Sequence, residues 1–408
     1  MFETDSLPDK TIMPIVNRIA AFHDDMTAWR RTLHAQPELA FEEHRTAEFV
    51  ARRLAEFGIE VHRGVGGTGV IGVLRGNRSG SGTVGLRADM DALPMSEDND
   101  FAHASQVPGR MHACGHDGHT AMLLGAARYL AETRNFAGTV NFIFQPAEEG
   151  HGGAQRMIED GLFDRFPCDR VFGLHNWPQL PAGAIAVSDG PVMAAADHFE
   201  IRIQGKGGHG AMPHHCFDPV VVAAHIITAA QTVVSRAIDP LDSAVISITT
   251  IHGGSAFNII PDRVEMGGTA RSFKLEIQDV IESRLRDVVE GTARAMGASA
   301  TLDYQRSYPA TINTAPEAAL AVRAAARVVG AEAVVRNPPP SMGAEDFSFM
   351  LRQRPGCYIW LGQGGAGHGC MVHNPRYDFN DGVLALGASY WVTLAEQILA
   401  GTEQTGEG

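Results

Sequence analysis

The sequence predicts an α/β protein: a three-layer domain with a mixed, largely parallel sheet, plus an inserted ferredoxin-like α+β domain. Towards both ends of the chain, short apolar runs alternate with helical patterns, which is typical of a three-layer α/β sheet. The middle instead follows the order β-α-β-β-α-β, the split βαβ pattern of ferredoxin-like domains. We therefore predict a discontinuous first domain over residues 1–193 and 308–408, interrupted by a second domain over residues 194–307.

The first part of the chain opens with two helical patterns. Apolar residues recur at three- and four-residue steps from Ile15 to Leu33, and Pro37 interrupts this stripe. A second helix is predicted over residues 45–57, where Gly58 supplies a C-terminal stop. Beyond it, strands are predicted at 69–74, 83–86, 139–144 and 171–174, and helices at 119–130 and 155–160.

The insertion and the last part of the chain complete the pattern. In the insertion we predict strands at 198–204, 244–251, 263–273 and 298–305, and helices at 218–236 and 274–296. After Gly330 we predict strands at 331–335 and 357–361 and a closing helix at 381–399.

Composition and charge exclude several classes of protein. Lys and Arg total 33 whereas Asp and Glu total 47, so the net charge is −14. A nucleic-acid binder needs a basic stripe to neutralise phosphates, and an anionic membrane attracts basic rather than acidic segments. We therefore expect neither a nucleic-acid partner nor a membrane partner.

The N-terminal sequence and the cysteines indicate the compartment. The segment MFETDSLPDK is acidic and lacks the basic and apolar regions of a secretory signal. The five cysteines are odd in number and scattered, which is unlike a disulfide framework. We therefore expect cytoplasmic localisation.

Acidic and imidazole side chains follow several of the predicted strands. Because open α/β sheets bind ligands beyond the carboxyl ends of their strands, we expect these side chains to share one rim. The residues concerned are Asp89, Asp91, Glu148, Glu149, His175 and His373. Cys114 and His116 lie just before the helix predicted at 119–130 and complete the set.

This residue set favours a metal site. Cys and His suit Zn²⁺ and other borderline transition metals, and Gly115 permits a turn that aims Cys114 and His116 inward. Of the pair Glu148-Glu149, one carboxylate can bind metal while its neighbour accepts a proton from the attacking water. Taken singly, Cys114 could be a small buried side chain and the glutamates a solvated surface, but their joint placement favours chemistry.

Several segments together resemble the M20 metallopeptidase family, and most closely its amidohydrolase branch of hippurate hydrolases, N-acyl-L-amino acid amidohydrolases and auxin-conjugate hydrolases. The segments are RADMDALPM, MHACGHDGHTAML, FQPAEEGHGGA, LHNWP, GKGGHGAMPH, GGSAFNIIPD, MGAEDFSFM and HNP, preceded by LHAQPELAFEE. The resemblance implies metal-dependent hydrolysis of the amide bond of N-acyl amino acids, releasing a carboxylic acid and a free amino acid. It also implies a catalytic domain with an inserted lid that forms a homodimer, with a tetramer as a further option.

The resemblance implies two divalent metal ions per subunit, with Mn, Zn, Co and Ni all compatible. It gives the bridging ligand to Cys114 and the role of general base to Glu148. The terminal ligands that it implies are His116, Glu149, His175 and His373. Where the wider family has a His-x-Asp pair, this chain has Asp89-Met90-Asp91, so His116 takes over that ligand. The role of Asp89 stays open, and Asp91 is expected to orient a ligand from behind.

Three residues of the insertion are candidates for substrate binding or catalysis. Arg271 and Asn258 match positions that are associated with the substrate carboxylate, which a guanidinium can hold with two hydrogen bonds. A surface salt bridge is the alternative for Arg271. His209 matches a histidine that reaches into the partner subunit's site and donates to the oxyanion; the alternative is that it caps a glycine-rich turn.

Other activities fit the same residues. With the same metal centre, the chain could be an N-acetyl-amino-acid or diaminopimelate deacetylase, or a dipeptidase. In a different class, Cys114 could be the nucleophile of a thiol hydrolase with His116 as its base. A non-catalytic metal-binding relative is a third option, although the intact Glu148-Glu149 pair argues against it.

Overall fold

The computed structural model describes residues 13–364 and 370–400, with side chains from residue 16 onward. These residues form two compact units. The first unit extends to Gly190, resumes over Ile312–Pro339 and continues from Phe349, and the second comprises Pro191–Thr311 and Pro340–Ser348. The segment Pro340–Ser348 thus groups with the second unit, whereas the bounds drawn from the sequence leave it in the first.

The helices and strands are numbered in chain order. The helices are α1 Met13–Ala20, α2 His23–Ala35, α3 His44–Glu56, α4 His116–Thr133, the one-turn α5 Glu148–His151, α6 Gly153–Glu159, α7 Leu162–Arg165, α8 Pro219–Thr232, α9 Leu275–Ala295, α10 Ala315–Val329, α11 Phe347–Gln353 and α12 Leu384–Ile398. The strands are β1 Glu60–Val65, β2 Gly69–Arg75, β3 Arg78–Asp89, β4 Ala137–Gln145, β5 Arg170–Pro181, β6 Ile185–Val187, β7 Pro191–Met193, β8 Ala195–Gln204, β9 Gly208–His209, β10 Ala244–His252, β11 Ile259–Ile260, β12 Arg263–Ser272, β13 Ser299–Tyr308, β14 Thr311–Ile312, β15 Val334–Arg336 and β16 Gly356–Gly364.

The main sheet of the first unit is mixed, as predicted. Its strand order is β1-β2-β4-β3-β5-β16-β6-β15. The four central strands β4, β3, β5 and β16 run parallel to one another, whereas β1, β2 and β6 join antiparallel neighbours. Every residue of β16 is buried, as expected for a strand covered on both faces. The central parallel strands place four carboxyl ends at one edge of the sheet.

Two predictions about local structure are wrong. The helical stripe is broken at Ala21–Phe22 into α1 and α2, although Phe22 is still buried. The strand predicted at 331–335 begins instead at Val334, because a short 3₁₀ helix at Ala331–Ala333 follows Gly330, whose φ is +83°. The side chain of Ile15 lies outside the described residues.

Among the elements that were not predicted, β1 and α10 were missed for identifiable reasons. Strand β1 is largely exposed and has no alternating apolar residues, so it carries no period-two signal. Helix α10 buries a stripe made of alanines, and such small side chains produce a weak apolar pattern. The alanines concerned are Ala318, Ala321, Ala324 and Ala325.

The second unit has the predicted ferredoxin-like architecture. Its four-stranded antiparallel sheet has the order β10-β12-β8-β13, and α8 and α9 pack against it around a separate apolar core. Asp218 caps α8 by accepting a hydrogen bond of 2.9 Å from the amide of Val220, and Pro219 occupies the first turn. The predicted helix at 218–236 therefore begins one residue later and ends in a π-helical turn at Val233–Ala237.

Candidate metal centre and active site

The predicted rim residues of the first unit come together at the carboxyl ends of the parallel strands. Asp89 is the last residue of β3, Glu148 follows β4 within three residues, and His175 lies inside β5. Because β4, β3, β5 and β16 are parallel neighbours, these side chains emerge at one edge. His175 is placed within its strand rather than after it, since β5 extends to Pro181.

A glycine turn presents Cys114 and His116 together. Gly115 has a φ of +97°, and a Cβ at this position would lie 2.3 Å from the Oδ1 atom of Asn176. Only glycine therefore fits between the two ligand candidates. His116 is the first residue of α4 and Cys114 precedes the helix, so both side chains point into the site rather than along one helix face.

A strained turn presents Glu148 and Glu149. Ala147 has a φ of +54°, which is left-handed for a residue with a Cβ, and Gly150 has a φ of +78°. The amide of Glu149 donates a hydrogen bond of 2.9 Å to Oδ2 of Asp91. The side chain of Glu149 turns towards His373, whose Nε2 lies 3.1 Å from its Oε1.

A backbone hydrogen bond anchors His373 beside Cys114. Its amide donates a hydrogen bond of 2.7 Å to the carbonyl of Ala113, next to Cys114, and its φ is +63°. The side chain is about half exposed, which makes it the most accessible of the described ligand candidates. Residues 365–369, which precede His373 in a glycine-rich part of the sequence, lie outside the described residues.

The five ligand candidates form two overlapping groups that share Cys114. Donor atoms of Cys114, His116 and His175 all lie within 4.8 Å of one another, and the same holds for Cys114, Glu149 and His373. Sγ of Cys114 is 3.3 Å from Nε2 of His175. His116 also groups with Glu148 and Glu149 by the same criterion. The structure therefore brings all five candidates and the candidate base into one cluster.

The electrostatics of the cluster favour a cation. Burial raises the pKa of the Cys114 thiol well above its usual value, and the carboxylates of Glu149, Glu148 and Asp89 raise it further. Burial lowers the pKa of His116, but Asp89, Asp91 and Glu149 outweigh that effect and raise it to about 10. Both shifts arise because several negative groups share a small buried volume, which a divalent cation would neutralise.

The donors also fit a divalent metal on a separate structural ground. Nε2 of His116 is buried and has no hydrogen-bond partner among the described residues. The other nitrogen, Nδ1, lies 2.8 Å from the carbonyl oxygen of Asp91 and 3.2 Å from its Oδ1. Such pairing at Nδ1 leaves the lone pair of Nε2 free for a metal, which is the usual arrangement of a metal-binding histidine. The residues present fit a divalent metal centre.

Asp89, whose role the sequence leaves open, has both carboxylate oxygens in contact with neighbouring side chains. Its Oδ1 is 2.6 Å from Nδ1 of His119, and its Oδ2 accepts a hydrogen bond of 2.7 Å from Arg87. Nε2 of His119 lies 2.6 Å from Oδ1 of Asn176, beside the ligand candidate His175. Arg87 and His119 therefore fix the Asp89 carboxylate beside the cluster, where Asp89 also groups with His116 and His119 as a possible ligand set.

A buried ionic network beneath α4 escaped sequence analysis. Arg30 is completely buried and donates to Asp117, the neighbour of His116, over 2.8 Å. His34 contacts the same carboxylate over 2.8 Å, and Asp378 also accepts from Arg30. These residues come from distant parts of the chain, so no local spacing reveals the network. The segment LHAQPELAFEE, which begins at Leu33, was the only available signal.

The candidates of the second unit lie apart from this cluster in the chain. His209 is exposed on β9, where it pairs with Ile259, and its Nδ1 accepts a hydrogen bond of 3.1 Å from the amide of Ala211. Asn258 is exposed, and its carbonyl accepts from the amide of Gly210, beside His209, over 2.8 Å. The structure thus brings His209 and Asn258 close together within the second unit.

Arg271 lies near the end of β12, and it is half-buried. Its Nη1 donates to Oγ1 of Thr269 and, over 2.9 Å, to the carbonyl of Ala270. Burial lowers the pKa of Arg271, and nearby Asp197 partly opposes that effect. Among the described residues no carboxylate lies within salt-bridge distance of its guanidinium, so the surface salt bridge considered for Arg271 is not formed.

Comparison with known proteins places the chain in a family. The pattern of the peptidase family M20/M25/M40 matches residues 85–397, which is most of the chain. The chain belongs to this family. Within it, the relatives place the chain in the amidohydrolase branch: a hippurate hydrolase of Campylobacter jejuni is 40% identical over 387 residues, covering 95% of this chain and 100% of that protein. An N-acetylcysteine deacetylase of Bacillus subtilis is 40% identical, covering 93% and 98% respectively.

A solved structure agrees with the fold. The Bacillus subtilis YXEP protein, described as a dinuclear metal binding peptidase from the M20 family, superposes with a TM-score of 0.82 at 37% identity. The match covers 93% of this chain and 99% of that one. This M20 chain therefore shares the fold of a metal-binding peptidase, and it is a hydrolase.

Proposed function

We propose that this chain hydrolyses the amide bond of N-acyl amino acids, including hippurate-like substrates, at a metal centre held by the first unit. The observation that carries the proposal is that five candidate metal-binding side chains form two groups that share Cys114, and that two of the five, His116 and Glu149, also group with Glu148. Shared placement suits a bridging ligand, so the arrangement supports two divalent ions. Cys, His and carboxylate donors tolerate Mn, Zn, Co and Ni, and the identity of the metal is left to experiment.

The chemistry of the protein groups follows from this placement. When bound, the divalent ions would polarise the substrate carbonyl and the attacking water. Glu148 is buried beside the ligand candidates, so its carboxylate can accept the proton of that water as the water adds to the amide carbon. Glu148 then delivers the proton to the leaving nitrogen, and the free amino acid departs as an amine. Asp91 orients both His116 and the loop that carries Glu149.

Recognition of the amino-acid part is assigned to the second unit. Arg271 has two donors engaged with its own strand and no carboxylate partner in the described structure, which leaves guanidinium donors for a substrate carboxylate. Asn258 would add a hydrogen bond from its exposed loop. We place these residues in a lid over residues 194–307 and the metal site in a catalytic domain over residues 1–193 and 308–408.

The second unit also supports a homodimer. It exposes several large apolar side chains, and β10 is an unpaired edge of its sheet. The exposed side chains include Met212, Phe217, Val220, Val221, Leu241, Ile251, Phe257 and Ile259. Exposed apolar side chains and an edge strand are both features through which a second copy could pack, and an edge strand can pair with its own copy about a two-fold axis. In this dimer His209 would act in the partner's site, where it would donate to the oxyanion.

Helix α8, together with the π-helical turn that follows it, is unusually apolar. The segment Pro219–Ala237 is long and apolar enough to cross a membrane by length and composition alone. A single helix of this kind is weak evidence, and its exposed positions are mainly polar. The polar exposed residues are His225, Thr228, Gln231, Thr232, Ser235 and Arg236. We propose that this helix packs in the second unit and does not span a membrane; cytoplasmic localisation and the absence of a nucleic-acid partner are separate proposals, and the acidic net charge of −14 supports the latter.

The test is a substrate panel with controlled metal content. Protein stripped by a chelator should be inactive on hippurate and on N-acetyl amino acids, and Mn²⁺, Co²⁺ or Zn²⁺ should restore hydrolysis. Including dipeptides and N-acetyl-diaminopimelate separates the proposed activity from the deacetylase and dipeptidase alternatives. Full hydrolysis by verified metal-free protein would instead favour the thiol hydrolase, although Cys114 lies against His175 rather than against its expected base His116.

A further inference from the structure

The turn that carries Glu148 depends on a residue in an unfavourable backbone conformation. Ala147 is fully buried, immediately precedes Glu148, and has a φ of +54°. Residues with a Cβ rarely adopt this left-handed conformation, because the Cβ crowds the backbone. The conformation persists only where surrounding contacts hold it.

Glu43 supplies one of those contacts from a distant part of the chain. Its side chain is completely buried, and its Oε1 accepts a hydrogen bond of 2.9 Å from the amide of Ala147. Its Oε2 accepts a hydrogen bond from Oγ1 of Thr68. Although Glu43 occupies the N-cap position of α3, its carboxylate makes no capping hydrogen bond to that helix. The carboxylate is used for the turn at Ala147 instead.

A second carboxylate holds the other side of the same turn. Oδ2 of Asp91 accepts the amide of Glu149 over 2.9 Å, while the carbonyl of Ala147 accepts from the amide of Gly153 over 2.9 Å. Buried acids therefore hold the peptide group that precedes Ala147 and the peptide group that follows Glu148, and the amide of Gly153 holds the peptide group between Ala147 and Glu148. The direction in which the Glu148 side chain leaves the backbone follows from these anchors.

Burying the carboxyl group of Glu43 costs folding free energy, which indicates that this residue has a functional role. Burial raises the pKa of Glu43 to about 7. In the part of the chain that the structure describes, no Lys, Arg or His lies within 4.0 Å of its carboxylate to compensate the charge. A buried acid without a cation is expensive, and such groups cluster at functional sites. Its Oε1 can accept from Ala147 whether the carboxyl is ionised or neutral.

We propose that Glu43 is a positioning residue that holds Ala147 in the left-handed conformation and so aims Glu148 at the substrate. The proposal rests on the proposed function, because it takes Glu148 as the general base. It adds a residue that no ligand pattern points to, more than a hundred positions earlier in the chain than the base it serves.

The experiment compares two variants of matched size at position 43. Glu43→Gln keeps an oxygen that accepts from Ala147 and an amide that can donate to Thr68, so kcat should stay within about threefold of the unaltered enzyme. Glu43→Met fills the same volume without an acceptor, so kcat should fall about 10–100-fold, the range expected for losing a hydrogen bond to a charged group. KM and metal content should change little in both variants.

A second substitution separates positioning from general stability. Glycine adopts a positive φ without strain, so Ala147→Gly should need no help from Glu43. In the Glu43→Met background, Ala147→Gly should recover most of the lost kcat when both variants are assayed well below their midpoints of thermal unfolding, where each is fully folded. If kcat does not recover under these conditions, Glu43 is merely structural and the proposal is overturned. A fully active Glu43→Met variant overturns it as well.

Hydrogen exchange gives a readout that needs no activity. In metal-free protein the amide of Ala147 should exchange slowly in the unaltered chain and in Glu43→Gln, and at least tenfold faster in Glu43→Met. Rapid exchange in the unaltered chain overturns the proposal even if Glu43→Met fails to fold. Absence of amide hydrolysis by every metal-loaded protein would overturn the proposed function, and with it the role of Glu148, while the exchange data would still decide whether Glu43 holds the turn.

Discussion

Arg30 offers the sharpest stability test, because its side chain is fully buried among acidic groups. It contacts Asp117 over 2.8 Å, Asp378, and Asp381 over 3.5 Å, and the side chains of Arg30 and Asp117 have no exposed surface. Arg30→Met retains most of the side-chain volume but leaves Asp117 without its main cation. Removing one partner of a buried ion pair costs about 3–5 kcal/mol, because the remaining charge stays buried and uncompensated.

Urea denaturation followed by tryptophan fluorescence reports on unfolding of the first unit, which contains Arg30. All four tryptophans of the chain belong to the first unit: Trp29, Trp177, Trp360 and Trp391. With a denaturant slope of about 3 kcal/mol per molar, the loss lowers the urea midpoint by about 1–1.7 M.

The neighbouring Arg31 provides a matched control. Arg31 also pairs with Asp381, over 2.9 Å, but about half of its side chain is exposed. Arg31→Met should therefore cost no more than about 1 kcal/mol, as exposed pairs do. Equal losses for Arg30→Met and Arg31→Met would refute the reasoning that burial gives the Arg30 network its energy.

The same network predicts a pH dependence. Burial alone would raise the pKa of Asp117, but Arg30 and His34 outweigh burial and lower it far below its usual value of 3.8. A carboxyl whose pKa is lowered by folding stabilises the native state above its unfolded pKa and loses that contribution as the pH falls below it. In Arg30→Met the buried Asp117 loses its main cation, so its pKa rises, and the difference in stability between the unaltered chain and the variant should shrink as the pH falls through the acidic range. A difference that grows on acidification would contradict this assignment.

The proposed active-site residues should respond to substitution in distinct ways. Glu148→Gln should lower kcat by ~10²–10⁴-fold with metal content intact, because only the proton acceptor is lost. Glu149→Gln should instead lower metal content, and exchanged phenotypes would contradict the assignment of the pair. Arg271→Ala should raise KM for N-acyl amino acids far more than for the matching N-acyl amides, which lack the carboxylate; equal effects would exclude a carboxylate clamp. Mixing inactive Glu148→Gln with inactive His209→Ala under subunit exchange should restore part of the activity, since one site of each mixed dimer then carries neither change. No recovery despite proven exchange would reject a role for His209 across the dimer.

Local patterns were sufficient to predict most of the architecture and to choose the candidate metal ligands that the structure brings together. Strand β3 carries a buried apolar run that ends in Asp89, and β4 carries one that ends before Glu148, so the rim could be predicted from the chain. The glycines around Cys114 and His116 likewise showed in the sequence that a turn was possible. These features are visible because each depends on residues within a few positions of one another.

Features that depend on long-range packing could not be predicted in the same way. The alanine stripe of α10 becomes a core surface only because α12 packs against it, and the ionic network of Arg30 joins residues more than eighty positions apart. Nothing in the spacing of these residues distinguishes them from ordinary surface positions. The tertiary fold determines how deeply these residues are buried, and therefore how much they contribute to the free energy of unfolding.

By itself, the sequence determined which side chains are available to bind metal and which strand ends carry them, because strand period and turn glycines are local properties. Only the tertiary structure decided which polar atoms form hydrogen bonds with one another. It paired Asp89 with Arg87 and His119, left Nε2 of His116 free, and brought Glu43 onto the amide of Ala147. The physical reason is that a buried polar group must find its hydrogen-bond partner wherever the chain returns, and that position depends on the packing of the whole unit.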